Sequence, residues 1–144
     1  MRPLLPAVLL LAATAGPALA ELYEVRMLNR NETGGMVYEP DYLRLAPGDR
    51  VRFRATHVTH NAASMPEMLP AGARPFKGQI NEEIEVAFTE PGFYGIRCIP
   101  HYAMGMVMLI QVGDALASAA AIPEGLPEVV RRRFREIAAR ADGR

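Results

Sequence analysis

From Asp49 to Ala55 the chain alternates without a break: Val51, Phe53 and Ala55 fall on one face, and Arg50, Arg52 and Arg54 on the other. A strand turns successive side chains to opposite faces, so this segment predicts a half-buried strand with a solvated arginine face. Leu22–Asn29 alternates in the same way, with Leu22, Glu24 and Arg26 against Tyr23, Val25 and Met27. Glu82–Phe88 repeats the pattern through Ile84, Val86 and Phe88, and Gly92–Cys98 and Val107–Val112 read as two further strands. The last is apolar enough to lie inside. Turn signals at Asn31 to Gly35, Pro47-Gly48-Asp49, Pro70 to Pro75 and Glu90-Pro91-Gly92 separate these runs. Short strands at this spacing predict an all-β sandwich or barrel rather than βαβ units.

Both ends of the chain differ from this middle. Arg2 precedes an almost unbroken run of Leu, Ala and Val from Leu4 to Ala15, and Ala18-Leu19-Ala20 is a small-residue cleavage site. Residues 1–20 therefore read as a cleaved secretory signal peptide; the apolar run, preceded by Pro3 and interrupted by Pro6, is too short to serve as a stable membrane anchor. The mature chain begins at Glu21, and the simplest destination is a bacterial periplasm. At the other end, the alanine-rich stretch Ala115 to Ala121 predicts one helix, broken by Pro123 and Gly125. From Pro127 a second helix sets Val130, Phe134, Ile137 and Ala141 in one apolar stripe, with Arg131, Arg132, Arg133 and Arg135 mostly on its other sides. The expected organisation is a β-sandwich over residues 21–113 and a helical extension over 114–144 packed on it.

Charge narrows the function. Sixteen basic residues balance sixteen acidic ones, which argues against nucleic acid as the main partner. The single cysteine, Cys98, excludes a disulfide within the chain and any zinc site built from paired cysteines. An unpaired thiol in an oxidising compartment invites oxidation, so it needs a role.

That role is suggested by its neighbours. Cys98 is followed by His101 and Met106 on one predicted loop between strands, and His60 lies upstream beside Asn61. Taken singly, each has an ordinary reading: a structural histidine, a small buried thiol, a methionine filling the core. Taken together, a thiolate, two imidazoles and a thioether form the His₂Cys set with a long axial Met of blue-copper electron-transfer sites. Zinc could use the three N and S donors, but Met is a poor zinc ligand. His57 has no partner in this pattern and reads as an ordinary loop or strand histidine.

The block Cys98-Ile-Pro-His101-Tyr-Ala-Met-Gly-Met106, with Thr59-His60-Asn61 upstream, resembles the pseudoazurins, small periplasmic blue copper proteins. The likeness extends to Gly35-Met36-Val37-Tyr38-Glu39-Pro40, Met68-Leu69-Pro70-Ala71-Gly72-Ala73 and Ile80-Asn81-Glu82, and covers essentially the whole mature chain. It implies a cupredoxin-like Greek-key β-sandwich with two C-terminal helices. It also implies one type 1 copper held by metal ligands His60, Cys98, His101 and Met106, cycling between Cu(II) and Cu(I) without catalysis. By the same likeness, the Asn61 backbone N–H would donate to the Cys98 sulfur, Pro100 would deny that sulfur a second donor, and Met36 would pack beside a ligand imidazole. The partners implied are a copper nitrite reductase or a cytochrome c, met by a monomer. A periplasmic copper carrier or storage protein is the alternative; it would favour labile, exposed ligands and could dispense with a buried thiolate. Two positions depart from the family pattern. Thr59 stands where Gly is common, and the barrel is poor in lysine, with nine basic against twelve acidic residues over 21–122.

Overall fold

The structure, a computed structural model, describes residues 19–143. The leader read at residues 1–20 lies outside them, apart from Leu19 and Ala20. Eight strands form: β1 (Leu22–Asn31), β2 (Gly34–Glu39), β3 (Tyr42–Leu45), β4 (Arg50–Arg54), β5 (Ala63–Ser64), β6 (Ile84–Ala87), β7 (Gly92–Arg97) and β8 (Val107–Val112). They make two four-stranded sheets, ordered β2-β1-β4-β6 and β3-β8-β7-β5. β1 runs parallel to β4 and β3 parallel to β8, while the other pairs are antiparallel. The five expected strands are all present. β2, β3 and β5 were not foreseen, because β5 has two residues, β3 has four, and β2 begins inside what reads as a turn. That turn is tight: the Thr33 N–H donates to Asn31 Oδ1 at 2.8 Å, and β2 starts one residue later.

The alternation of β4 comes out as predicted, with Val51 and Phe53 fully buried between the sheets. Its arginines are not merely solvated. Arg50 pairs with Glu85 at 2.8 Å, Arg52 with Glu85 at 3.0 Å, and Arg54 with Glu24 and Glu83 at 3.4 Å each. These pairs are exposed, so each contributes little to stability; their effect is to neutralise the face.

Strand β8 is buried along its whole length because it serves two cores. Met106, Met108, Ile110 and Val112 enter the core between the sheets with Phe53, Phe88 and Tyr94. Val107 and Leu109, on the other face, pack with Val130, Phe134 and Ile137 of helix α1 (Glu128–Asp142). Each of those three helix side chains is essentially inaccessible, a burial worth about 1.5–3 kcal/mol apiece.

One helix was expected that does not form. Instead of a helix over Ala115–Ala121 there is a single 3₁₀ turn at Ala117–Ala119, so α1 is the one C-terminal α-helix among the described residues. An isolated helix this short cannot offset its nucleation cost. Its backbone groups also have better partners: the Ala117 and Ser118 N–H groups donate to the Asp142 carboxylate at 2.6 and 2.9 Å, and Gln111 Nε2 donates to the Ala115 carbonyl. No helix of the described residues is long and apolar enough to cross a membrane.

Candidate metal centre

The turn between β7 and β8 is built by the chain segment that carries most of the chemistry. The ladder of the two strands extends past Arg97 and Val107, because the Cys98 N–H donates to the Met106 carbonyl at 3.0 Å. Within that closure His101 N–H reaches the Cys98 carbonyl at 3.3 Å, and both Met104 and Met106 N–H groups reach the His101 carbonyl, at 3.0 and 3.2 Å. Tyr102–Met104 form one 3₁₀ turn that ends at Gly105, whose φ of +82° suits a residue without a Cβ. The loop also leans on the tail. A Cβ at Gly105 would lie 3.2 Å from Val129 Cγ2 and 3.4 Å from the Val129 carbonyl oxygen, so the first turn of α1 is packed directly against it.

His60 comes from the loop between β4 and β5. Its Nδ1 lies 3.7 Å from Cys98 Sγ and 3.1 Å from His101 Nδ1, and His101 Nδ1 lies 3.6 Å from the same sulfur. Cys98 and His60 are fully buried and His101 is half-buried. Met106 is fully buried in the same core cluster as Cys98.

The neighbours hold these groups in place. Asn29, on β1, offers Oδ1 at 2.8 Å to His60 Nε2. An amide oxygen only accepts, so Nε2 carries the proton and the Nδ1 lone pair faces the sulfur. Burial, with His101 and His57 adding to it, pushes His60 down to about 4, so the ring is neutral at neutral pH and free to ligate. Burial pushes the Cys98 thiol up, opposed first by the Asn61 backbone N–H and then by that of His101. Pro100 carries no N–H, and the His101 N–H donates to the Cys98 carbonyl at 3.3 Å. Asn61 further donates Nδ2 to the Gly78 carbonyl at 2.9 Å, and its own carbonyl accepts from Tyr38 Oη at 2.7 Å. Met36 packs half-buried against the main core.

Thr59 adopts φ +75°, a left-handed conformation that a β-branched residue rarely takes. Asn81 stabilises it: Oδ1 accepts the Thr59 N–H at 2.6 Å, and the Asn81 N–H donates to the His60 carbonyl at 2.8 Å. His57 stays outside the cluster of donors. It is exposed, and its Nδ1 accepts the Asn29 N–H at 2.9 Å.

Imidazole nitrogens about 2.0 Å and a thiolate about 2.3 Å from one ion, in a trigonal array, would be spaced by roughly 3.5–3.8 Å. The observed spacings of 3.1, 3.6 and 3.7 Å suit such an ion after small side-chain adjustments. Two imidazoles with a thiolate suit copper in both oxidation states.

Comparison with known proteins agrees with this chemistry. Residues 25–113 match the family described as copper binding proteins, plastocyanin/azurin family. The pseudoazurin of Paracoccus pantotrophus is 50% identical over 105 residues, covering 73% of this chain and 72% of its own. The chain belongs to the pseudoazurins.

A putative pseudoazurin of Rhizobium leguminosarum bv. viciae is 42% identical over 125 residues, covering 86% of this chain and 82% of its own. Among solved structures, the pseudoazurin of Methylobacterium extorquens AM1 superposes with a TM-score of 0.75 at 36% identity, over 83% of this chain and 98% of that one. That of Hyphomicrobium denitrificans gives 0.74 at 32%, over 83% and 97%. Pseudoazurins are copper electron-transfer proteins rather than enzymes, and copper is their cofactor. The pseudoazurin sandwich brings His60 beside a loop 38 residues further along the chain. Of the residues singled out from the sequence, the structure brings His60, Cys98 and His101 together and buries Met106 in the same core as Cys98; sequence reasoning missed Asn29, which carries no signal beyond being an Asn at the end of an alternating run, and it missed the Thr59–Asn81 pair.

Proposed function

We propose that the chain is exported to the periplasm and carries single electrons there between redox partners, with His60, Cys98, His101 and Met106 holding one type 1 copper. The observation that carries this reading is the convergence of two imidazole Nδ1 atoms on one buried thiol, at 3.6 and 3.7 Å. Bound among these groups, copper supplies the one-electron Cu(II)/Cu(I) couple. The chain keeps the donors nearly fixed between the two states. Asn29 fixes the His60 ring, Asn61 ties the two loops, and the ladder bond from Cys98 to Met106 closes the turn. Burial of Cys98, His60 and Met106 excludes water from their side.

His101 offers the route outward. Ile99, Pro100, Ala103 and Met104 around it are exposed and uncharged, and Met104 is 55% exposed. This is the surface on which a partner would dock, a copper nitrite reductase or a cytochrome c by likeness to the family. Such complexes form and part quickly, through small interfaces under roughly 1,200 Å². Lys77 and Arg97 line a groove that reaches Ile99, so they can set the encounter rate, whereas Arg74 lies on a separate depression with Glu85 and Val86.

The test is the colour of the copper-loaded protein and of Cys98→Ser. Intense visible absorption in the first and its loss in the second is the expected result, because a hydroxyl cannot replace the soft sulfur donor. A colourless copper-loaded protein would instead mark a carrier or storage protein.

A further inference from the structure

Asp49 closes the Pro47-Gly48 turn and is only 5% exposed. Its Oδ2 accepts the Ala46 N–H at 2.9 Å, which holds the turn itself. Its Oδ1 accepts the N–H of Glu21 at 2.9 Å, reaching 28 residues back to the residue just before β1. The contact is embedded in the sheet: the Arg50 N–H donates to the Glu21 carbonyl at 2.8 Å, and the Phe88 N–H donates to the Asp49 carbonyl at 2.9 Å. Among the described residues, no Lys, Arg or His side chain pairs with Asp49, and its neighbour Arg50 is engaged by Glu85. A buried carboxylate neutralised only by peptide N–H groups is expensive, and a cation at one of the donor positions would offset much of that cost.

The nitrogen at that position belongs to the residue that the Ala18-Leu19-Ala20 pattern makes the first of the mature chain. We propose that cleavage between Ala20 and Glu21 creates a structural cation, the Glu21 α-ammonium, which binds the buried Asp49 carboxylate. The inference rests on the export reading. The endopeptidase of the export machinery hydrolyses the Ala20–Glu21 amide with one water: Ala20 keeps the new carboxylate, and Glu21 leaves as an amine that is protonated at neutral pH. The same nitrogen then makes a charge-assisted hydrogen bond in place of a neutral one. The site of cutting matters. A chain starting at Ala20 displaces the amine by one residue, about 3.8 Å along the backbone, and one starting at Leu22 removes the donor. Leu19 and Ala20 are exposed, so nothing in the packed sheet depends on them. The surrounding field is already acidic. A hydrogen bond to the Glu21 side chain, then burial and the charges of Glu21 and Asp49, push the Tyr23 phenol up to about 12. The clamp has a functional reach, because it fixes the start of β1, the strand whose Asn29 holds His60.

The test compares mature chains with defined first residues, Glu21 or Ala20, each with Asp49 and with Asp49→Asn, by thermal unfolding of the copper-free and copper-loaded forms. The Glu21 chain should melt about 5 °C above the Ala20 chain, and Asp49→Asn should remove the difference. Equal melting of the two chains with Asp49 intact, or the same gap in Asp49→Asn, overturns the clamp and leaves the electron-carrier reading standing. If Asp49→Asn does not fold, NMR titration of the isotopically methylated α-amine decides. A value above the ordinary α-amino value of about 8 supports the ion pair, and an ordinary value overturns it. The intact mass of the protein recovered from the periplasm checks the cut itself. A start at Glu21 is expected, and any other start overturns the processing step.

Discussion

The Asn61 side-chain oxygen accepts the Ile99 N–H at 2.8 Å, joining two loops 38 residues apart at the point where each carries a candidate ligand. Its amide nitrogen meanwhile holds the Gly78 carbonyl. One side chain thus sets the distance between the His60 and Cys98 loops, and replacing it strands the Ile99 N–H on the Cys98 loop and the Gly78 carbonyl on the segment between β5 and β6. Asn61→Leu should therefore lower stability by about 1–3 kcal/mol for each polar group left unsatisfied. Denaturant unfolding of the copper-free protein checks this without reference to the metal.

Asn29 acts on the ring rather than the loop. Without its Oδ1 the His60 ring loses the acceptor that fixes its tautomer and orientation. Asn29→Ala should keep the fold and weaken copper binding about 10–100-fold, the usual cost of removing the partner of a ligating histidine. Competition against a copper chelator of known affinity measures it, and unchanged affinity would show that the ring is held by packing alone.

Thr59 is strained and Gly would not be. A left-handed conformation costs an L-residue roughly 1–2 kcal/mol, whereas Gly in its place adds about 0.5–1 kcal/mol of chain entropy to the unfolded state. The strain is the larger effect, so Thr59→Gly should stabilise the protein by about 0.5–1 kcal/mol. A raised urea midpoint with unchanged slope is the expected observation.

Gly105 meets both limits at once, a positive φ and the close approach of Val129. Gly105→Ala should destabilise by about 2 kcal/mol, mostly from the backbone term. Adding Val129→Ala should relieve the contact but not the φ cost, so only part of the loss returns. Full recovery in the double variant would show that crowding alone excludes a side chain here.

Asp142 governs the segment that did not become a helix. Its hydrogen bonds with Ser118 and Ala117 hold its carboxyl below the ordinary carboxylate value. A depressed folded-state value contributes stability above the unfolded value, near 3.8, that is lost as pH falls through the lower, folded one. Amide exchange at Ala117 and Ser118 should accelerate in that acid window, and Asp142→Asn should abolish the pH dependence.

Much of this molecule is written locally. The alternation of Val51 and Phe53 against three arginines determines a strand and its inward face, because the side-chain period of a strand is a property of the backbone. The stripe of Val130, Phe134 and Ile137 determines α1 for the same reason. The spacing of Cys98, His101 and Met106 within one turn between strands was legible too, since a short loop leaves its side chains few places to go.

What the sequence could not decide is who meets whom. Periodicity tells a residue which face it lies on, not which strand lies beside it. So the pairing of Arg50, Arg52 and Arg54 with Glu24, Glu83 and Glu85 had to await the sheet order. The alanine run at 115–121 has helix propensity, yet the Asp142 carboxylate, brought there by the end of α1, takes the N–H groups of Ala117 and Ser118 and leaves one 3₁₀ turn. Asn29 reaches His60, Asn81 reaches Thr59 and Asp49 reaches the Glu21 nitrogen only through the packed sheets. Each is a hydrogen bond between residues more than twenty positions apart, and only the folded chain brings such atoms within three ångströms of each other.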